Sequence, residues 1–128
     1  MKPNEVSRII IEEAIYIHRK IGPGLLESVY EKMLAHRLIK RGLIVKTQVP
    51  VPVVMDEVQL EIGFRADMIV ENCIVVEIKS LDLVPKVAFM QLKTYLRFTN
   101  IQLGLLINFN VPLLKDGVTR FVLDFKEE

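Results

Sequence analysis

Three charged side chains interrupt a stretch otherwise suited to a core. In GFRADMIVENCIVVEIKS, residues 63–80, two apolar runs flank a turn near Glu71-Asn72, and Asp67, Glu77 and Lys79 break them. Burying a charge is costly unless it is paired or bound to a metal. If the runs form a hairpin, Asp67 falls almost opposite Glu77, and cross-strand partners share a face about 5 Å apart at Cβ. Glu77 and Lys79, two apart on one strand, share a face as well. Two carboxylates that close repel each other unless a proton or a cation lies between them. A hard divalent cation such as Mg²⁺ suits oxygen ligands and retained waters. Lys79 then stands beside the site, to orient or deprotonate a water or to stabilise charge developing on a phosphate. A plain salt bridge of Lys79 with Glu77 or Asp67 is the competing reading.

Two further groups carry candidate chemistry. Gln91 and Tyr95 are four apart in a helical pattern and so are neighbours on one face. A glutamine beside a phenol suits holding a water or touching a phosphate and a base edge. Lys86, Lys93 and Arg97 fall on an adjacent stripe with Met90, where exposed cations would meet phosphates or simply solvent. Glu27, in GLLESVYEK, opens another helix, where a carboxylate also favours the helix dipole. His18 and His36 have no partner at metal-ligand or triad spacing and read as surface or half-buried residues. No glycine-rich phosphate loop, paired cysteine motif or serine elbow is present.

The elements that would position these residues follow from periodicity. A first helix, capped by Asn4, runs to about Lys20 with Val6, Ile9, Ile10, Ile17 and Ile21 as its apolar stripe. IGPGLLE breaks the chain, and a second helix spans about Leu25 to Arg41, stopped by Gly42. Its buried side is expected to be Leu26, Val29, Tyr30, Met33, Leu34 and Leu38. Strands are expected at Leu43–Val49, Val51–Met55, Gln59–Val70 and Ile74–Lys79. Pro50 and Pro52 confine the region of the first two to an edge or a bend. A helix from Pro85 to Phe98 follows, then strands at Ile101–Phe109 and Val118–Phe125. The order α-α-β-β-β-β-α-β-β indicates an α/β fold, a mixed central sheet flanked by helices.

The 128 residues suggest a single domain, 1–128, able to bury roughly two-thirds of its unfolded surface. No apolar run approaches the ~18 residues that span a bilayer, so no membrane role is expected. The early acidic residues of MKPNEVSRIIIEE argue against a signal peptide. The single Cys73 excludes an internal disulfide and fits a reducing cytoplasm. A net charge of +1 gives no global basic field.

Taken together, these motifs resemble the GxxExxY proteins, a group within the PD-(D/E)XK nuclease-like superfamily. Gly24, Glu27 and Tyr30 match the name-giving motif. FRADMIVENCIVVEIKS resembles the superfamily's hairpin, with Asp67 as the first acid and Glu77-x-Lys79 as the (D/E)XK element; Ala66 stands where the label has proline. QLKTY, residues 91–95, resembles the QxxxY helix of exonuclease-type members, and LGLLINFN resembles the strand after it. The resemblance implies a restriction-endonuclease-like core and a Mg²⁺- or Mn²⁺-dependent nuclease acting on DNA or RNA. Asp67 and Glu77 would ligate the ion with the backbone carbonyl of Ile78, and Glu27 would complete or adjust the site. Lys79 would act on the water nucleophile. Gln91 and Tyr95 would support the site or the scissile phosphate, with Lys86, Lys93 and Arg97 binding nucleic acid. Non-catalytic nucleic-acid binding and protein interaction are the alternatives. The near-neutral charge favours an accessory role, or a homodimer that joins two modest basic patches.

Overall fold

The computed structural model describes residues 1–123. Two helices come first, α1 (Pro3–Ile21) and α2 (Glu27–Lys40). Strands β1 (Val45–Met55), β2 (Val58–Val70) and β3 (Ile74–Lys79) follow, then α3 (Lys86–Thr99), β4 (Leu103–Asn108), a short 3-10 turn (Leu114–Gly117) and β5 (Val118–Val122). The strands form one mixed sheet in the order β1-β2-β3-β4-β5. Only β3 and β4 are parallel, and α3 is the crossover between them, as a parallel connection requires. The fold is therefore α/β, as the periodicity indicated.

Helices cover both faces of the sheet. Ile10, Ile17, Leu34 and Leu38 of α1 and α2 pack on Met68, Val76, Ile78, Leu105 and Ile107. On the other face, Ala88, Leu92 and Leu96 of α3 pack on Val51, Ile69, Val75 and Leu106. β3 and β4 are covered on both sides and so read as nearly unbroken apolar runs. A Cβ at Gly104 would press on the Leu92 side chain, so this glycine lets α3 lie close to β4.

Charge also joins the first two helices. The buried carboxylate of Glu13 accepts hydrogen bonds from Arg37 Nε and Arg41 Nη1, each at 2.7 Å. Burial pushes this carboxyl up, but the two guanidiniums more than offset it and hold it below its usual range. Part of the basic run in α2 is thus spent on α1 rather than on a ligand.

Several sequence expectations need correction. The expected first two strands are one strand: β1 continues through Pro50, which pairs with Arg65, and carries an irregularity between Val51 and Val53. β1 is an edge strand, where proline is tolerated because the N–H groups directed away from β2 have no ladder partner. Leu26, the cap of α2, Met33 of α2 and Ile21 of α1 are exposed, because no element covers that side. Asn4 lies inside α1, whose cap is Lys2. His18 is buried, and its Nε2 lies 2.8 Å from the Val111 carbonyl oxygen. The last expected strand ends at Val122; its extension to Phe125 lies outside the described residues.

Candidate active site

The hairpin β2–β3 turns through Glu71 and Asn72, both with positive φ (52° and 53°), and the Cys73 N–H closes the turn on the Val70 carbonyl. That geometry is a type I′ turn, whose twist matches the strands it joins. From it the ladder runs through Val70↔Ile74 to Met68↔Val76 and then stops. Beyond that point side chains replace main-chain partners. The Asp67 N–H donates to Glu77 Oε2 at 2.9 Å, and the Ile78 N–H donates to Asp67 Oδ2 at 2.9 Å. The two carboxylates meet because the strands part, each anchored to the other strand's backbone.

The β1–β2 ribbon twists at the same level. Thr47 pairs with Met68 and Val49 with Ala66, but Gln48 and Asp67 between them do not pair. Gln48 has a positive φ of 49°. Met68 and Val70 face α1 and α2, whereas Phe64 and Ala66 face α3, so β2 changes face across Asp67. The Gln48 amide donates to Glu31 Oε1 at 2.8 Å and, more weakly, to Asp67 Oδ1 at 3.5 Å. Glu31 of α2 is thereby held toward the pair.

Electrostatics follow this crowding. Glu77 is 7% exposed, and burial, then the charge of Asp67, pushes its carboxyl up to about 8. The nearby Lys79 works in the opposite direction. Burial also raises Glu31, with the Asp67 charge adding to it. Tyr95 is raised by burial and by the charges of Glu77 and Asp67. Its ring stacks on Phe64, centroids 4.0 Å apart. Among the described residues Lys79 makes no direct ion pair with either carboxylate, so a plain salt bridge does not account for the three charges.

Glu27 arrives from the start of α2. Its Oε2 accepts from the Ser80 N–H at 3.3 Å, one residue past Lys79. Ser80 Oγ donates to the Leu25 carbonyl at 2.6 Å. Gly22 and Gly24, with φ of 74° and 95°, turn the chain ahead of this contact. Buried Tyr30 closes the turn: its hydroxyl donates to the Gly22 carbonyl at 2.6 Å and accepts from the Leu25 N–H at 3.2 Å. Its ring stacks on Phe109 at 4.3 Å. Gly24, Glu27 and Tyr30 therefore form one device that fastens the α1–α2 loop to the end of β3. Asn108 fastens the other side, giving Nδ2–H to the Leu81 carbonyl and accepting the Leu81 N–H.

The remaining candidates divide between two flanks of α3. Gln91 is exposed and one turn from Tyr95, on the flank toward Phe64. Lys93 lies over the Phe121 ring of β5 at 5.3 Å, and Lys86 and Arg97 share its stripe. That stripe faces away from the carboxylates. Gln48, Glu31, Phe64 and Asn108 were not anticipated. Glu31 was within reach of sequence reasoning, four residues after Glu27; Gln48 was not, because its role depends on a backbone angle.

The donor set fits a hard divalent cation. Asp67 and Glu77 each keep one carboxylate oxygen clear of the main-chain hydrogen bonds, and a bound cation would oppose both the burial and the mutual repulsion that push Glu77 up. Among the described residues no three acidic, histidine or cysteine side chains are grouped to hold an ion. No described helix is long and apolar enough to cross a membrane. The family model of the PD-(D/E)XK nuclease superfamily matches residues 4–121. No curated protein and no solved structure matches the chain.

Proposed function

Since the chain belongs to the PD-(D/E)XK nuclease superfamily, we propose that it is a divalent-cation-dependent nuclease hydrolysing phosphodiester bonds in DNA or RNA. The observation that carries this reading is the Asp67–Glu77 pair with Lys79 beside it at the parting of β2 and β3. Bound between these carboxylates, Mg²⁺ or Mn²⁺ would neutralise phosphate charge and lower the pKa of a water. Asp67, Glu77 and the Ile78 carbonyl would hold it. Lys79 orients the attacking water and offsets charge developing on the phosphate. Gln48 is a positioning residue that steers Asp67 and Glu31, and Glu27 acts through Ser80 to fix the chain just after Lys79. Tyr95 and Gln91 line the approach on the α3 side, where a scissile phosphate and its base would lie. The far stripe of Lys86, Lys93 and Arg97 would add electrostatic attraction for the flanking strand. Gly24, Glu27 and Tyr30 favour the GxxExxY group within the superfamily, and the lone Cys73 favours the cytoplasm.

One observation favours a second reading. Each carboxylate already accepts a main-chain N–H, so the motif would hold the strands apart even in a non-catalytic nucleic-acid-binding module. A cleavage assay with Mg²⁺ or Mn²⁺ on single- and double-stranded DNA and RNA separates the two. Loss of cleavage in Glu77→Ala and in Lys79→Ala, with nucleic acid still bound by Lys79→Ala, supports the nuclease. Binding without cleavage in the wild type supports the module.

A further inference from the structure

The flank of α3 that meets β2 carries two polar groups without protein partners. Among the described residues the side-chain hydrogen bonds of α3 come from Thr94 and Thr99. The Gln91 carboxamide and the Tyr95 hydroxyl, one turn apart on the helix, are left open. Beside them is an aromatic pair. Phe64 and Tyr95 stack with centroids 4.0 Å apart and planes inclined by only 5°. Both residues are half-buried, so the stack is partly open to solvent. Phe64 precedes Asp67 by three residues on β2, about 10 Å along the strand. A base next to a phosphate held at the carboxylates therefore comes within reach of the rings.

This combination selects among the parts of a nucleic acid. Phosphates call for cations, and the neighbouring cations lie elsewhere. Phe64 pairs with Val51, whereas Arg65 pairs with Pro50 and so points to the opposite face of the β1–β2 ribbon. Lys86, Lys93 and Arg97 occupy the other flank of α3. Outward from the rings the ribbon is apolar, with Val53 beside Leu60 and Met55 beside Val58. A nucleobase matches better: it is a flat π-face, which stacks on aromatic rings, with an edge that amides and hydroxyls can hydrogen-bond. In a duplex both faces and the pairing edge of each base are already engaged. What a duplex turns outward is two rows of phosphates, whose binding takes several cations.

We propose that Phe64, Tyr95 and Gln91 form a nucleobase subsite beside the carboxylates, which makes an unpaired strand the substrate. The inference rests on the nuclease reading given above and narrows it. Phe64 and Tyr95 supply the stacking surface, and the Gln91 carboxamide with the Tyr95 hydroxyl bonds the base edge. Phe64 is thus a specificity-determining residue. It holds the base adjoining the scissile phosphate, and a base still paired in a duplex cannot reach it.

Fluorescence anisotropy of the full chain tests this with three labelled probes of one length, made as DNA and as RNA. They are a single strand, its duplex, and an abasic strand that keeps the phosphates but has no bases. Ca²⁺ replaces Mg²⁺ to hold hydrolysis back. The wild type should bind the single strand at least about tenfold more tightly than either other probe, as one base–aromatic stack implies. Phe64→Leu keeps an apolar side chain, so its circular dichroism should be unchanged, yet it should bind the single strand about as weakly as the abasic strand. Phe64→Tyr should retain the preference, and Gln91→Ala, at an exposed position, should weaken single-strand binding a few-fold. Equal binding of the single and abasic strands overturns the proposal, as does a duplex bound as tightly as the single strand. Cleavage with Mg²⁺ or Mn²⁺ is scored separately. The expected binding pattern without cleavage upholds the base subsite and overturns the nuclease reading. Cleavage of duplex in preference to single strand does the reverse, and no binding of any probe overturns both.

Discussion

On the sheet side of Asp67, β2 buries Met68, Ile69 and Val70; on the other side, Val58, Leu60 and Ile62 of the same strand are exposed. Both stretches carry large apolar side chains, residues 68–70 without interruption and residues 58–62 in alternation with Gln59 and Glu61. What differs is the neighbour. Residues 68–70 lie beside β3 with helices over both faces, while residues 58–62 have only β1. Between them, the unpaired level of Gln48 and Asp67 is where the ribbon changes face and where the carboxylates gather. A strand can therefore serve a core, a site and a surface in turn, provided its pairing is broken at the transition.

The largest expected effect tests the transition itself. Lys79→Ala should lower the cleavage rate roughly 10³-fold, in the range of losing a positioned catalytic group, in a chain whose circular dichroism is unchanged. Normal cleavage by this variant would remove Lys79 from the chemistry. Next come the two halves as packing environments. Met68→Ala should cost about 2–5 kcal/mol of unfolding free energy, whereas Leu60→Ala should stay within about 0.5 kcal/mol in the monomer. Equal costs in urea titration would show that the arm is not free.

A smaller effect arises from the protonation of Glu77. In the unfolded chain this carboxyl ionises near 4.5, and in the fold at about 8. Between these values the folded state binds the extra proton, so stability falls as pH rises and levels off above the folded value. Without divalent cations the melting temperature should decline by several degrees across that window, and Glu77→Gln should flatten the decline. A profile that is flat in the wild type would contradict the crowding of Asp67 and Glu77. The smallest expected change is in the salt dependence of nucleic-acid binding. Replacing Lys86, Lys93 and Arg97 by alanine should reduce its slope by about 0.9 per lost duplex contact. An unchanged slope would confine binding to the carboxylate flank of α3.

The hairpin with Asp67 and Glu77 was legible because its turn and its alternation are local, and the order of the remaining elements followed from helical and strand periods. The split of β1 was misread because Pro50 and Pro52 signal a break in a central strand, whereas at an edge they only bend it. Leu26 and Met33 satisfied the helical period, yet burial needs a neighbour that periodicity cannot reveal. Gln48 was hidden for a different reason. Nothing about a glutamine within a valine- and proline-rich strand announces a positive φ, and without that angle its amide would not bridge Glu31 and Asp67.

The type I′ turn at Glu71 and Asn72 has a kinetic consequence. It closes a hairpin in which the Asp67–Glu77 contact spans ten residues, whereas the Glu27–Ser80 contact spans 53. Loop closure grows more costly with the length closed, and local pairings form first. The carboxylate pair is thus expected to assemble with the folding nucleus, before α2 docks its loop onto the end of β3. Destabilising the turn should slow refolding, while weakening the Tyr30 fastening should chiefly speed unfolding. The acidic pair would then already stand together, repelling, in a chain not yet closed around it, and the ionic conditions of refolding would act on the rate as well as on the finished fold.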